Sequence, residues 1–292
     1  MKNILVTGGC GFIGSNLVDM LVQDRDHNVI VVDNLVTGKK ENCNVNAKYI
    51  FDDIRNVFAE NYTSSLLKDI DVIFHLAALA RIQPSFERPN ETLDINTKGT
   101  ALVCEFARKN NIKVVYAGSS SFYGGVYLNP YAFSKWQGEE ICKLYSEVYG
   151  LSTVIARFFN VYGQRHVRTG PYATVIGVFE KQMLANEPLT ITGNGEQRRD
   201  FTNVKDICNA LIKMSKDMWK GNVFNLGAGR NHSINELAHM FKKDIKYIKV
   251  RPGEAWITLA DISQTQELLN WVPKVSLEDW VSQWLKENMK GE

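Results

Sequence analysis

No stretch of this 292-residue sequence approaches the ~18 consecutive apolar residues that a membrane helix requires. Nor does it open on a basic segment, a hydrophobic run and a cleavage site; Met-Lys-Asn leads directly into Ile4-Leu5-Val6-Thr7-Gly8. An excess of one charge is missing too: 34 Lys+Arg stand against 32 Asp+Glu, a formal +2. So weak a field argues against a nucleic-acid binder or a membrane-surface protein, and any anion recognition has to be local. Cysteines are few, and Cys10, Cys43, Cys104, Cys142 and Cys208 never reach the spacing of a zinc knuckle or a disulfide framework. No metal site is expected, and the thiols read as buried groups in a reducing compartment, which points to the cytoplasm. What is present is ordinary globular material, 45% hydrophobic and 23% charged. A chain this long buries about three-quarters of its unfolded surface without staples.

Short runs rich in Val and Ile alternate with longer helical patterns through the first half. Ile4–Thr7, Val29–Asp33, Val72–Leu76, Val114–Ala117 and Val154–Arg157 read as buried strands. Ile13–Val22, Thr97–Asn110 and Tyr131–Tyr149 between them have helical spacing. This alternation predicts βαβ units, hence an α/β, Rossmann-type doubly wound parallel sheet. After about Gly163 the pattern changes: Leu189–Thr192 is an isolated strand, Val223–Leu226 a buried one, and Leu277–Asn288 an amphipathic helix. The reading is a sheet domain over 1–165 with a returning segment at about 200–228, and a smaller interleaved lobe over 166–199 and 229–292.

Thr7-Gly8-Gly9-Cys10-Gly11-Phe12-Ile13-Gly14-Ser15 follows the first strand and opens a helix. Glycines at 8, 11 and 14 allow a tight turn, close approach of backbone to a pyrophosphate, and close helix–strand packing; the helix N-terminus supplies free N–H groups. Gly9, Gly11 and Gly14 fit the commoner GxGxxG register as well, so spacing leaves the assignment open. Asp33 ends the second strand, where a carboxylate accepts from both adenosine ribose hydroxyls and repels a 2′-phosphate, favouring NAD over NADP; a turn or helix cap is the alternative. Asp53 and Ile54 follow Tyr49-Ile50-Phe51-Asp52, and an acidic residue there could meet the adenine edge.

Ser119, Ser120 and Ser121 follow the strand Val114–Ala117, at the carboxyl end of the sheet where ligands bind. Tyr131-Ala132-Phe133-Ser134-Lys135 comes next, after Asn129-Pro130, which marks a helix start. Tyr131 and Lys135 then share one helix face. A phenol is only about 0.1% ionised at pH 7, and lowering its pKa by three units takes about 4 kcal/mol. A lysine cation and a positive nicotinamide ring in a dry cleft supply energies of that order. On this reading Tyr131 is the proton acceptor, with Ser119 bonded to the same substrate oxygen.

Together these segments resemble the extended short-chain dehydrogenases/reductases of the NAD-dependent sugar epimerase/dehydratase family. The resemblance runs over nearly the whole chain. It includes the glycine loop, Asp33-Asn34, His75-Leu76-Ala77-Ala78, Asn96-Thr97-Lys98-Gly99-Thr100, Ser119 before Tyr123-Gly124, Tyr131/Lys135 and Arg157-Phe158-Phe159-Asn160-Val161-Tyr162-Gly163. It continues through Gly195-Glu196-Gln197-Arg198-Arg199-Asp200-Phe201 and Arg251-Pro252-Gly253-Glu254.

The resemblance implies NAD held by Gly8, Gly11, Phe12, Ile13, Gly14, Asp33, Asn34, Asp53, Ile54, Leu76, Ala77 and Ala78. Asn96 would lie on the adenosine side, Tyr131 beside the cofactor and Lys135 on the nicotinamide ribose. It implies a nucleotide-sugar substrate, a UDP-sugar, in contact with Ser120, Ser121 and Asn160. Arg199 and Arg251 match arginines on its diphosphate, Glu254 an acid on its ribose, and Thr258 a gate beside the C2 substituent. A small gate admits UDP-GlcNAc/GalNAc as well as UDP-Glc/Gal. Dehydratases of the family resemble Thr-Asp-Glu at the serine position and decarboxylases keep a glutamate; the Ser119-Ser120-Ser121 triplet is similar to the 4-epimerases. The implied reaction is oxidation at C4, rotation of the 4-keto sugar and re-reduction. A 4,6-dehydratase, a 4-ketoreductase, a UDP-glucuronate epimerase and a non-catalytic NAD sensor are the alternatives. Family members pair as homodimers through a four-helix bundle, here Thr97–Asn110 and Tyr131–Tyr149.

Two features stand apart from the pattern. Arg81 follows the His75 motif and could meet a substrate carboxylate, the pyrophosphate or solvent. The step from Ser119 to Tyr131 is twelve residues where relatives have some two dozen, so a loop that normally covers part of the site is missing.

Overall fold

A computed structural model describes residues 2–60, 62–250 and 252–289 of the chain. Its centre is a seven-stranded, wholly parallel sheet. The strands used below are β1 (Lys2–Thr7), β2 (His27–Val32), β3 (Lys48–Ile50), β4 (Val72–His75), β5 (Lys113–Ser119), β6 (Thr153–Phe158), β7 (Leu189–Thr192), β8 (Lys220–Leu226) and β9 (Ile245–Ile248). The sheet runs β8-β6-β5-β4-β1-β2-β3. Its order reverses between β1 and β4, which opens a crevice at the carboxyl ends of those strands. The Val/Ile runs are buried on both faces, as a parallel sheet covered by helices demands.

The longer helices are α1 (Phe12–Leu21), α2 (Gly99–Lys109), α3 (Pro130–Tyr149), α4 (Val175–Leu184), α5 (Val204–Met214), α6 (Ile234–Met240), α7 (Ser263–Leu269) and α8 (Leu277–Asn288). One face of the sheet packs on α1 and α5 through Leu17, Val18, Ile207 and Leu211; the other packs on α2 and α3 through Val103, Ala107 and Cys142. Each such fully buried aliphatic side chain is worth about 1.5–3 kcal/mol. A third cluster, including Phe179, Leu189, Ile191, Phe241 and Trp284, holds α4, α6 and α8 around β7.

Two sequence expectations change here. Leu189–Thr192 is not isolated: β7 pairs in parallel with β9. Leu269 and Trp271, in the stretch given to the smaller lobe, join the first core beside α5. The Trp271 indole donates to the Asp206 carbonyl at 3.0 Å, so α7 is tied to the sheet domain.

Helix α3 begins where its sequence requires. Asn129 Oδ1 accepts from Ala132 N at 2.7 Å, Pro130 occupies the first turn, and Gly150 ends the helix at φ +69°. That start fixes Tyr131 at the mouth of the crevice.

Candidate active site

A cavity of about 540 Å³ runs from the glycine turn to the smaller lobe. At its first end Gly8 has φ +72°, and a Cβ there would lie 2.8 Å from Ala77 N. A Cβ on Gly14 would lie 2.1 Å from the Gly8 carbonyl oxygen, so α1 packs on the turn without room for a methyl group. Gly9 faces Val31 in the core, whereas Gly8, Gly11 and Gly14 line the cavity. No side chain caps the first turn of α1. Its free N–H groups form a cradle for a phosphate group.

Phe12, Ile13, Asp33, Asn34, Asp53, Ile54, Leu76, Ala77 and Ala78 line the same end. Asp33 accepts from Cys10 N at 2.9 Å and Leu35 N at 2.8 Å. Burial raises its pKa, and those two N–H groups pull it back. Asp53 is held differently. Arg55 Nε and Nη2 each reach it at 2.8 Å, Asn34 Nδ2 at 2.9 Å, and it caps the turn Ile54–Val57. The Arg55 hydrogen bonds bring its carboxyl down to about 2.

At the carboxyl end of β5, Tyr131 Oη donates to Ser119 Oγ at 3.3 Å. Ser121 donates to the same oxygen from its backbone N (3.2 Å) and its hydroxyl (2.9 Å). Ser119 Oγ thus faces donors from two neighbours, Tyr131 and Ser121, and its own proton has no partner among the described residues. Twelve residues suffice to close this cluster. The turn Ser121–Gly124 is followed by one closed by Leu128 N on Gly125 O at 3.2 Å. Gly125 sits at φ +115°, and a Cβ on Gly124 would meet Ala255 Cβ at 2.8 Å, so Ala255 packs closely against the link.

Lys135 lies one turn beyond Tyr131 and is 5% exposed. Its Nζ sits 4.3 Å above the Tyr116 ring, and burial brings its pKa down to about 8 against the pull of Glu139. Burial raises the Tyr131 pKa, and the opposing influences are the Ser119 hydrogen bond and the charge of Arg81. In the protein alone the phenol is held protonated.

Toward the smaller lobe, Ser120, Ser121, Asn160, Arg199, Glu254 and Thr258 all line the cavity. Asn160 Nδ2 donates to Asp200 O (2.9 Å) and Thr258 Oγ1 (3.1 Å), which gives the strand-end asparagine and the gate threonine one shared anchor. Arg199 is paired with Glu254 at 3.5 Å, and not with its neighbour Asp200. Asp200 turns inward and accepts from Ala228 N, Gly229 N and Ala260 N. Arg251 lies outside the described residues.

Asn96 departs from the sequence reading. It is 1% exposed and does not line the cavity; its amide spans Leu79 N (2.8 Å), Leu79 O (3.1 Å) and Ser134 Oγ (2.9 Å). It therefore positions the 76–81 loop from behind. Sequence reasoning missed the support beneath Lys135. Glu139 is fully buried and holds Arg157 Nη2 at 2.7 Å, and Arg157 stacks 3.6 Å over Phe122. Glu139 sits one turn after Lys135, and that spacing was the available signal. His75 bridges Thr7 Oγ1 (2.8 Å) and Thr100 Oγ1 (3.1 Å), and burial brings it down to about 3, a neutral strut.

The chain is similar to known proteins over nearly its whole length. The model of the NAD dependent epimerase/dehydratase family matches residues 4–227. A Methanocaldococcus jannaschii protein provisionally named UDP-glucose 4-epimerase is 38% identical over 98% of this chain and 99% of its own. The UDP-glucose 4-epimerase of Thermotoga maritima, solved with UDP-glucose, superposes with a TM-score of 0.90 at 31% identity, covering 99% and 100% of the two chains. The UDP-glucuronic acid 4-epimerase of Bacillus cereus, solved with UDP-glucuronic acid and NAD, gives 0.88 at 31% identity over 98% and 99%.

Proposed function

The chain belongs to the NAD dependent epimerase/dehydratase family, and we propose that it inverts C4 of a UDP-sugar with NAD as its resident cofactor. The observation that carries this reading is the Tyr131–Ser119 contact at 3.3 Å, one helical turn from a cavity-facing lysine. The residues present fit NAD. The Gly8–Gly14 turn lines the cavity at the uncapped start of α1, Asp33 keeps a carboxylate at its rim, and Lys135 has an ammonium without a hydrogen-bond partner among the described residues.

When bound, NAD would supply reversible hydride acceptance at C4, the redox chemistry that inversion of that carbon needs. Tyr131 accepts the C4 hydroxyl proton and later gives it back. Ser119, with its own proton free, donates to the C4 oxygen and holds it at the tyrosine. Lys135 anchors the nicotinamide ribose. Arg199 binds the diphosphate bidentately, exchanging its 3.5 Å contact with Glu254 for phosphate oxygens, and Glu254 takes the ribose hydroxyls. Asn160 and Thr258 border the hexose.

The triplet supports epimerisation over dehydration or decarboxylation. The carboxylates lining the cavity are Asp33 and Asp53 at the glycine turn and Glu254 on Arg199. None stands beside Tyr131 to protonate a leaving hydroxyl.

The same family reading supports a homodimer through α2 and α3. Phe133, Ile141, Leu144 and Val148 form an outward stripe on α3, with Leu144 and Val148 more than half exposed, beside a shallow apolar hollow that includes Leu93 and Ala101. Free thiols at all five cysteines fit a cytoplasmic location.

The test is proton NMR of UDP-glucose, UDP-GlcNAc and UDP-glucuronate incubated with purified protein and no added NAD. One C4 epimer is expected, and Tyr131→Phe lowers the rate at least ~10³-fold while NAD stays recoverable from the protein. Net NADH release, loss of water or full activity in the variant overturns the assignment.

A further inference from the structure

We infer that the cavity selects a nucleotide sugar carrying a carboxylate beside the reacting carbon, and that Arg81 is the residue that reads it. This rests on the UDP-sugar reading above and narrows it.

Other arginines around the cavity already have a carboxylate. Arg55 holds Asp53, Arg157 holds Glu139 and Arg199 holds Glu254. Arg81 has none among the described residues. Its Nε donates to the Tyr172 carbonyl at 2.8 Å, and that bond fixes the plane of the guanidinium. Neither Nη group has a partner among the described residues, although Arg81 is partly buried and lines the cavity. Burial lowers its pKa, and only the Tyr131 and Tyr172 phenols act against that. A desolvated guanidinium with two unused donors and no counter-ion is costly until an anion arrives.

Which anion follows from position. The cofactor's pyrophosphate has the α1 N-terminus, and the sugar nucleotide's diphosphate has Arg199. Arg81 instead opens the helical turn Ile82–Glu87, whose Ser85 Oγ accepts from Tyr131 N at 3.1 Å, and it lines the cavity together with Tyr131, the group assigned to C4. An anion there belongs to the hexose itself. The two Nη groups present parallel donors matched to a planar carboxylate. A uronate at C6, one carbon from C5 and two from C4, is the nearest chemistry of that kind. Relatives act on both neutral and uronate sugars, so membership of the family leaves this choice to Arg81.

The experiment titrates UDP-glucose and UDP-glucuronate into the NAD-bound Tyr131→Phe protein by calorimetry at fixed ionic strength. A Kd at least 30-fold lower for the uronate is expected. Arg81→Ser in that background brings the ratio to within threefold of one, and Arg81→Lys recovers part of it. UDP-N-acetylmuramic acid against UDP-GlcNAc is the second arm. An Arg81-dependent preference there alone moves the recognised carboxylate from C6 to C3. Equal affinities, an Arg81→Ser effect of the same factor on both sugars, or no measurable binding of either acid overturns the proposal. Because the readout is a binding ratio, it is independent of turnover. A preserved preference without C4 inversion sinks the epimerase reading and leaves this one standing. Inversion of UDP-glucose without the preference does the reverse.

Discussion

The two ends of the cavity are built on opposite principles. Around the glycine turn, backbone touches backbone: Gly14 lies against the Gly8 carbonyl and Gly8 against Ala77, with no space for a methyl group. Toward the smaller lobe, side chains facing the cavity hold one another through polar contacts, as in Arg199–Glu254 at 3.5 Å and Asn160–Thr258 at 3.1 Å. A group common to every turnover is met by fixed geometry at one end. Side chains that exchange one partner for another meet a substrate that comes and goes at the other.

That contrast breaks first at Gly14. In Gly14→Ala the new Cβ meets a backbone oxygen at 2.1 Å, and neither strand β1 nor helix α1 can retreat from its core contacts. The expected cost is above ~4 kcal/mol, a large part of the stability of a domain. Urea denaturation of whatever folds, together with NAD content, measures it. Near-normal stability would mean that the turn is looser than its contacts indicate.

Lys135 sits between the two regimes and gives the next effect. Its folded pKa of about 8 lies below the 10.5 of a free lysine, so charging it disfavours the folded state. Below pH 8 that cost is present in full; between 8 and 10.5 the unfolded chain holds the extra proton, and stability rises with pH. Two and a half units correspond to about 3 kcal/mol, reduced by the Tyr116 contact. With NAD removed, Lys135→Met is expected to be more stable at pH 7 by up to ~3 kcal/mol, and to lose the alkaline gain. Equal stability of variant and wild type at both pH 7 and pH 10 would remove the cost from Lys135.

Much of this was legible in the sequence for a physical reason. Parallel strands buried on both faces must be Val/Ile runs, and α3 announces itself by Asn129-Pro130 and Gly150, whose backbone roles are local. The turn residues Gly8, Gly11 and Gly14 were legible as well, down to two registers. What escaped depends on contacts far apart in the chain. Strand β9 reads as a charged segment, Asp244-Ile245-Lys246-Tyr247-Ile248-Lys249, because most of it is solvent-exposed and only pairing with β7 makes it a strand. Asn96 matched a cofactor motif, yet its amide closes on Leu79 and Ser134. The partner of Arg199 is 55 residues away at Glu254, and no spacing rule points there.

The smallest expected effect decides what kind of residue Asp53 is. Unlike Glu254, it is gripped at 2.8 Å by its arginine and also caps a helical turn, which is scaffold behaviour within a binding cavity. Asp53→Asn keeps the cap and loses the charge. Its carboxyl titrates near 2 when folded and near 4 when unfolded, so its stabilisation is present above pH 4 and lost as pH falls through 2. Discounted for solvent around the pair, the loss at pH 7 is about 1 kcal/mol and shrinks to nothing below pH 2. NAD affinity should fall less than threefold, because Arg55 and Asn34 already occupy both oxygens. A tenfold fall would show that Asp53 also accepts from the adenine, and would move it from the scaffold to the ligand side of the comparison.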